Sequence, residues 1–321
     1  MSLSDKIKKQ TNISPNSIKV YISNLKNLYR FITGENIEDI DEKHLDKFKD
    51  VNKVLKALNK YKDSTIKNYL VAVIIAFKLS DKYDKEIEEY NKHISELQTK
   101  VNDYYDENKK SESQKQNWVD YSEILKVLNE LKSDVNNKKL LEKEELSTSE
   151  LDLLQQYLVI SLYSGARGIP PLRNDYSNME IIAEEDIKDH DKGNFFVLRK
   201  KGNPYFLINE FKTSKKFGTE KIDISNKILK ALIKNWLKYN NTKYFLINPT
   251  TKTAMTPNGI SKYISKIFKK RRDKTISSSL LRSIYITHKY KENLTTKEKK
   301  DLAEEMLHSK NMSENVYHKI D

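Results

Sequence analysis

The chain contains no cysteine, which excludes disulfides, thiol nucleophiles and thiolate metal sites together. It also lacks any apolar run near the roughly 20 residues that a membrane helix needs. Its opening stretch, MSLSDKIKKQT, has no hydrophobic signal core. A soluble protein inside the cell, in the cytoplasm or nucleus of a host, is therefore expected, with no membrane partner. The six histidines, His44, His93, His190, His288, His308 and His318, follow no HExxH or other ligand spacing, so neither a metal nor another cofactor is expected. Any transfer chemistry must run on the protein's own groups.

What the chain has in excess is positive charge. Its 59 basic and 46 acidic residues leave a formal net charge of +13, which favours a polyanionic partner. The sequence is also rich in Asn, Ile and Tyr, so AT-rich coding could inflate lysine without any function. Clustering is therefore the better guide. Residues 257–274, PNGISKYISKIFKKRRDK, carry an inner stripe of Ile260, Tyr263, Ile264, Ile267 and Phe268 and an outer face of Lys262, Lys266, Lys269, Lys270, Arg271 and Arg272. A near single-sign face repels itself and suits a phosphate backbone, so these six are expected to contact duplex DNA.

The chemistry concentrates in residues 279–317, which hold Arg282, His308 and Tyr317. Converging on one phosphate, these three side chains can transfer it: the tyrosine oxygen attacks, the arginine clamps the non-bridging oxygens and the histidine donates to the growing charge. His308 and Tyr317 are nine residues apart, and at about 100° per residue one continuous helix would put them on opposite faces. The polar stretch 309–313 should break the helix, with Ser313 as N-cap of a short final helix carrying Tyr317.

Arg282, then Leu307-His308-Ser309, then a tyrosine nine residues past the histidine resembles the carboxy-terminal signature of the tyrosine recombinases, the phage-integrase family. The family usually opens this box with His-x-x-Arg, where this chain has Ser279, which removes one phosphate contact. It also prefers glycine before the second histidine, where this chain has Leu307.

Upstream segments fit the same family. Residues 16–32, 42–60 and 63–77 carry helical apolar stripes, the first started by Ser14-Pro15 and ended by Gly34. The order of these helices, with the run Lys62-Asp63-Ser64-Thr65-Ile66-Lys67-Asn68-Tyr69-Leu70, resembles the family's core-binding domain, which implies DNA contact by Lys62 and Lys67. The expected fold is mainly α with a small antiparallel β-sheet: a helical core-binding domain over 1–85, a polar and partly helical linker over 86–117, and a mixed α/β catalytic domain over 118–321. Within the last, residues 148–164 form the most apolar helix and should be its buried centre.

Just past that helix the family carries its first catalytic arginine. Two residues qualify. Ser164-Gly165-Ala166-Arg167 looks like the common form of the motif. The run Pro170-Pro171-Leu172-Arg173-Asn174-Asp175-Tyr176 resembles the form found in virophage and protist-virus integrases, which would imply integration of a viral genome. Arg173 is preferred, with Asp175 holding its fork and the proline pair starting a short helix; Arg167 is the alternative. Residues 194–199, 204–209 and 220–224 read as short strands. The family sets its catalytic lysine in this hairpin, often as Lys-Thr, which assigns Lys212 as the acid that protonates the departing 5′ oxygen. Lys215 and Lys216 are alternatives for that role or phosphate contacts. A solvated ammonium is a poor acid at neutral pH, so bound DNA must bury it.

The resemblance implies a site-specific recombinase or integrase that works through a 3′-phosphotyrosyl intermediate on Tyr317, as a tetramer on two duplex sites. Two rivals use the same features. A type IB topoisomerase would reseal the same strand, and a non-catalytic relative would bind DNA without forming an adduct.

Overall fold

The computed structural model describes residues 2–189 and 192–320; His190 lies outside them. The chain divides into two compact units, Met1–Glu107 and Asn108–Asp321, each with its own apolar core.

The first unit is helical: α1 Leu3–Gln10, α2 Pro15–Thr33, α3 Glu42–Leu45, α4 Val51–Leu58, α5 Asp63–Phe77 and α6 Asp84–Asp106. Ser14 caps α2 by accepting from the Ser17 amide, Pro15 occupies its first turn, and Gly34 ends it in the left-handed region at φ 81, as local chemistry dictates. Leu25, Leu28, Phe48, Val54, Leu58, Leu70, Val73 and Phe77 fill the core. The sequence places a linker from residue 86, but α6 belongs to this unit. Tyr83 stacks on Phe77 at 4.1 Å between ring centroids, and the fully buried Tyr90 donates its hydroxyl to the Phe48 carbonyl at 2.6 Å. Two tyrosines anchor a helix whose other positions are mostly polar, which is why its composition reads as a tether.

The second unit opens with α7 Glu112–Asn117 and α8 Tyr121–Asn137, and is built on α9 Thr148–Tyr163. Ser147 and Glu150 close a capping box at the start of α9. Leu154, Leu158, Val159, Ile160 and Leu162 are buried on nearly every side of it. Even its amide is used: Gln155 donates to the Ile247 carbonyl and accepts from the Ile247 amide, both at 2.9 Å, so a buried polar group carries no unpaired cost.

Four strands follow, β1 Glu180–Ala183, β2 Asn194–Leu198, β3 Tyr205–Ile208 and β4 Glu220–Asp223, in the order β1-β2-β3-β4. The last three pair antiparallel, as expected for short strands joined by short connections. The sheet as a whole is mixed rather than antiparallel, because β1 pairs parallel with β2. That strand, EIIA, has only two β-branched residues between a glutamate and an alanine and lies outside the stretches read as strands.

Between β3 and β4 sits α10 Ser214–Phe217; beyond them come α11 Lys227–Tyr239, α12 Pro257–Arg272, α13 Ser278–Tyr290, α14 Thr296–Glu305, α15 Lys310–Met312 and a π-helical turn Ser313–Tyr317. Among the described residues, no helix is long and apolar enough to cross a membrane.

Candidate active site

The centre of the site is Arg282 on α13, which is fully buried. Its Nη1 donates to the Pro171 carbonyl at 2.6 Å, and its Nη2 donates to the Met306 carbonyl at 3.1 Å and to Nδ1 of His308 at 2.7 Å. A buried guanidinium survives only if its donors are answered. Here carbonyls from two loops answer them, while Nε has no partner among the described residues.

That network fixes the histidine. Nδ1 of His308 faces a donor, Nη2 of Arg282 at 2.7 Å, and an acceptor, the Met306 carbonyl at 3.1 Å. The shorter contact is to a guanidinium, which can only donate, so Nδ1 is assigned as the acceptor and the proton to Nε2. Burial first, and then the Arg282 charge, push the His308 pKa down to about 3, so the ring stays neutral. Its Nε2 is buried and has no partner among the described residues: an unspent donor in a pocket of positive charge. With Nδ1 engaged and Nε2 protonated, this histidine can donate a hydrogen bond but cannot accept the tyrosine's proton.

His308 stands in the loop between α14 and α15, where the chain breaks as its polar residues predict. The cap is Ser309, which accepts from the Met312 amide. Ser313, expected in that role, is instead buried and accepts from the Tyr290 hydroxyl at 2.9 Å. α15 runs into the π turn that delivers Tyr317. Its ring lies 5.1 Å from the His308 ring, and the Arg282 guanidinium carbon sits 4.7 Å from its centroid. Burial alone would raise the phenol's pKa, but the nearby charges of Arg282 and Arg173 outweigh it and hold Tyr317 below the ordinary tyrosine value.

Arg173 reaches the same place from the other side of the unit. Its carbonyl takes the Tyr163 hydroxyl at 2.6 Å, its amide donates to Asp175 at 3.0 Å, and its Nη1 donates to the Leu307 carbonyl at 3.0 Å. Asp175 therefore holds the backbone of Arg173 rather than its fork, and the two prolines lead into a turn rather than a helix. The Arg167 side chain makes no hydrogen bond to Arg282, His308 or Tyr317 among the described residues. Leu307, where the family prefers glycine, adopts the left-handed φ of 57; the cost, about 1–2 kcal/mol, is offset by its buried side chain.

Arg173, Arg282, His308 and Tyr317 thus converge. Lys212 is exposed in the β3–β4 connection, as is Lys215, and the side chain of Lys216 lies outside what the structure describes. The neighbour of Lys212, Thr213, donates to the Leu307 carbonyl at 2.9 Å. Sequence reasoning misses this residue, although the Lys-Thr pair points at it.

The basic residues divide. Lys262, Lys266 and Lys270 are exposed on α12, as is Lys269, which pairs with Asp273 at 2.6 Å. Arg271 and Arg272 turn inward from this face. They meet Glu130, Asp134 and Glu123 of α8 at 2.5–3.3 Å, so their charge is already answered within the unit. In the first unit Lys62 is exposed, and Lys67 is half-buried and hydrogen-bonded to Gln98.

The fold is mostly helical with a small mixed sheet. The chain is similar over its full length to the Tn1549 transposon integrase solved in complex with transposon right end DNA, at 14% identity and a TM-score of 0.51, covering 96% of that chain. The XerA recombinase also matches, at 12% identity and a TM-score of 0.41, with 99% of this chain and 94% of that chain covered. No protein-family model matches the sequence, and no curated protein does.

The two arginines make a pH prediction. Phenolate forms as pH rises, so any reaction in which Tyr317 is the nucleophile should speed up with pH and level off above its pKa. Replacing Arg173 by glutamine removes one of the charges that lower that pKa. The rising limb should move to higher pH, and the rate at a fixed pH below it should fall roughly tenfold for each pH unit that the limb moves. The measurement is the single-turnover rate of such a reaction between pH 6 and 10. An unmoved limb in Arg173→Gln would separate Arg173 from the nucleophile.

Proposed function

We propose that this chain is a tyrosine recombinase that cuts and rejoins duplex DNA through a phosphotyrosyl intermediate. The observation that carries this reading is the convergence of two guanidiniums, a neutral histidine with a free Nε2–H and a tyrosine whose pKa is held low, all at one place. Each has a task on a phosphodiester. Arg173 and Arg282 hold the non-bridging oxygens and favour the phenolate, and Nε2 of His308 donates to the charge that grows on the phosphorane.

Tyr317 attacks the phosphorus, forming a 3′-phosphotyrosyl bond and releasing a 5′ hydroxyl. Lys212 protonates that oxygen as it leaves. The ester bond is kept in the intermediate, so no nucleotide is needed to reseal, and rejoining to a different 5′ end is recombination. Exposed Lys262, Lys266, Lys269 and Lys270 would hold the flanking duplex, and Lys62 would do so from the first unit. The likeness in fold to an integrase solved with transposon end DNA supports the choice of duplex DNA as the partner.

The test is denaturing capture of covalent protein–DNA complexes after the chain meets DNA from its own source, followed by mass mapping of the attached peptide. Adducts on Tyr317 that map to defined sequences are expected. Relaxation of any supercoiled plasmid, without a preferred site, would favour a type IB topoisomerase. Salt-sensitive binding without an adduct would leave a non-catalytic DNA-binding protein.

A further inference from the structure

Thr213 immediately precedes α10, in the N-cap position where a threonine hydroxyl ordinarily accepts an amide N–H of its own helix. It makes no such bond. Its Oγ1 instead donates to the Leu307 carbonyl, 94 residues away, at 2.9 Å. The same carbonyl oxygen accepts Nη1 of Arg173 at 3.0 Å. A carbonyl has two lone pairs, and these two donors fill them. One atom therefore joins three segments: the arginine turn, the loop that carries His308, and the connection that carries Lys212. The left-handed backbone of Leu307 aims that carbonyl, and its side chain, 2% exposed, locks the turn in the core.

Short polar turns with lysine at the surface have little to hold them in place, yet a general acid must stand within hydrogen-bond reach of the oxygen it protonates. From this geometry we propose that Thr213 is a positioning residue that docks the Lys212 turn against the His308 loop, so that the ammonium meets the departing 5′ oxygen. The assignment rests on the recombinase reading. In that step the Tyr317 oxygen forms a bond to phosphorus, the P–O5′ bond breaks, and a proton passes from Lys212 to O5′. The phenol's proton passes to solvent as the phenolate forms, and the Lys212 amine later takes a proton back from solvent, so protons balance over the step.

The step offers a test that a merely structural role would not pass. If the bridging 5′ oxygen of the scissile phosphate is replaced by sulfur, the leaving group is a thiolate, stable enough near neutral pH to depart without a proton. The probes are two duplexes of the sequence mapped by adduct capture, one with oxygen and one with sulfur at that position. Thr213→Val, which keeps the shape and removes the donor, should form adduct roughly 10- to 100-fold more slowly on the oxygen duplex and within about twofold of wild type on the sulfur duplex. Thr213→Ser should restore the oxygen rate. Lys212→Ala should show the same sulfur rescue, and adding Thr213→Val to it should cost little more. Equal slowing of Thr213→Val on both duplexes would overturn the assignment, because the loss would then lie in the arginine and histidine clamp. Wild-type activity of Thr213→Val on the oxygen duplex would overturn it as well. Absence of adduct from the wild type on both duplexes would remove the recombinase reading beneath it.

Discussion

Tyr317→Phe should abolish covalent capture of DNA, by at least about 10⁴-fold if the tyrosine oxygen is the nucleophile, and leave DNA binding almost unchanged. The substitution removes one oxygen and nothing else. Tyr317 belongs to an apolar cluster with Tyr285, Ile286, Leu302 and Met306, and phenylalanine keeps the ring carbon that it contributes. The guanidinium of Arg282 still faces an aromatic ring. Stability should therefore move by less than about 1 kcal/mol, within the range of shape-conserving replacements.

Binding and chemistry separate cleanly in this variant. The duplex would be held by lysines spread over α12 and the first unit, none of which touches the phenol. A salt titration of binding should give the same slope for both proteins, while denaturing capture gives adduct only from the wild type. Equal adduct from both would mean that another residue attacks, and the chain's other tyrosines would have to be searched.

Much of this arrangement is legible in the sequence because three of its residues share one segment whose spacing forces a helix break between His308 and Tyr317. The identity of the break's cap is not. Ser309 and Ser313 are alike locally, and the choice between them is made by Tyr290, more than twenty residues earlier, whose hydroxyl claims Ser313. The same limit applies to charge. Arg271 and Arg272 read as part of a single-sign face, because their counterions lie on α8, about 140 residues away in the chain. Helix α6 reads as a tether because composition averages over its length, whereas a few positions, Tyr83 and Tyr90 with Ile87, Ile94 and Leu97, bind the segment to the core. Periodicity reports a face; it does not report which neighbour meets that face. Thr213 shows this most plainly, since its bond partner is a backbone carbonyl, which no side-chain pattern can encode.

A second large effect should follow from Gly165→Ala, at the junction between α9 and the arginine turn. Gly165 has φ 74, in the left-handed region, and a Cβ built there would stand 2.2 Å from Cε2 and 2.7 Å from Cδ2 of Tyr285. Backbone strain of about 1–2 kcal/mol adds to overpacking of about 1–3 kcal/mol, for a total of roughly 2–5 kcal/mol. For a unit of this size that is a fall in melting temperature of about 5–15 °C. Activity should fall further than stability implies. Tyr285 lies on α13 one turn beyond Arg282, and the loop that begins at Gly165 supplies the Pro171 carbonyl that Arg282 binds. Either the ring or the loop must move, and both are attached to the same guanidinium. Pairing Gly165→Ala with Tyr285→Leu removes the clash and leaves only the backbone strain, so the double variant should be less destabilised than the sum of the single ones. Additive losses in that cycle would show that the ring is not what the new methyl meets.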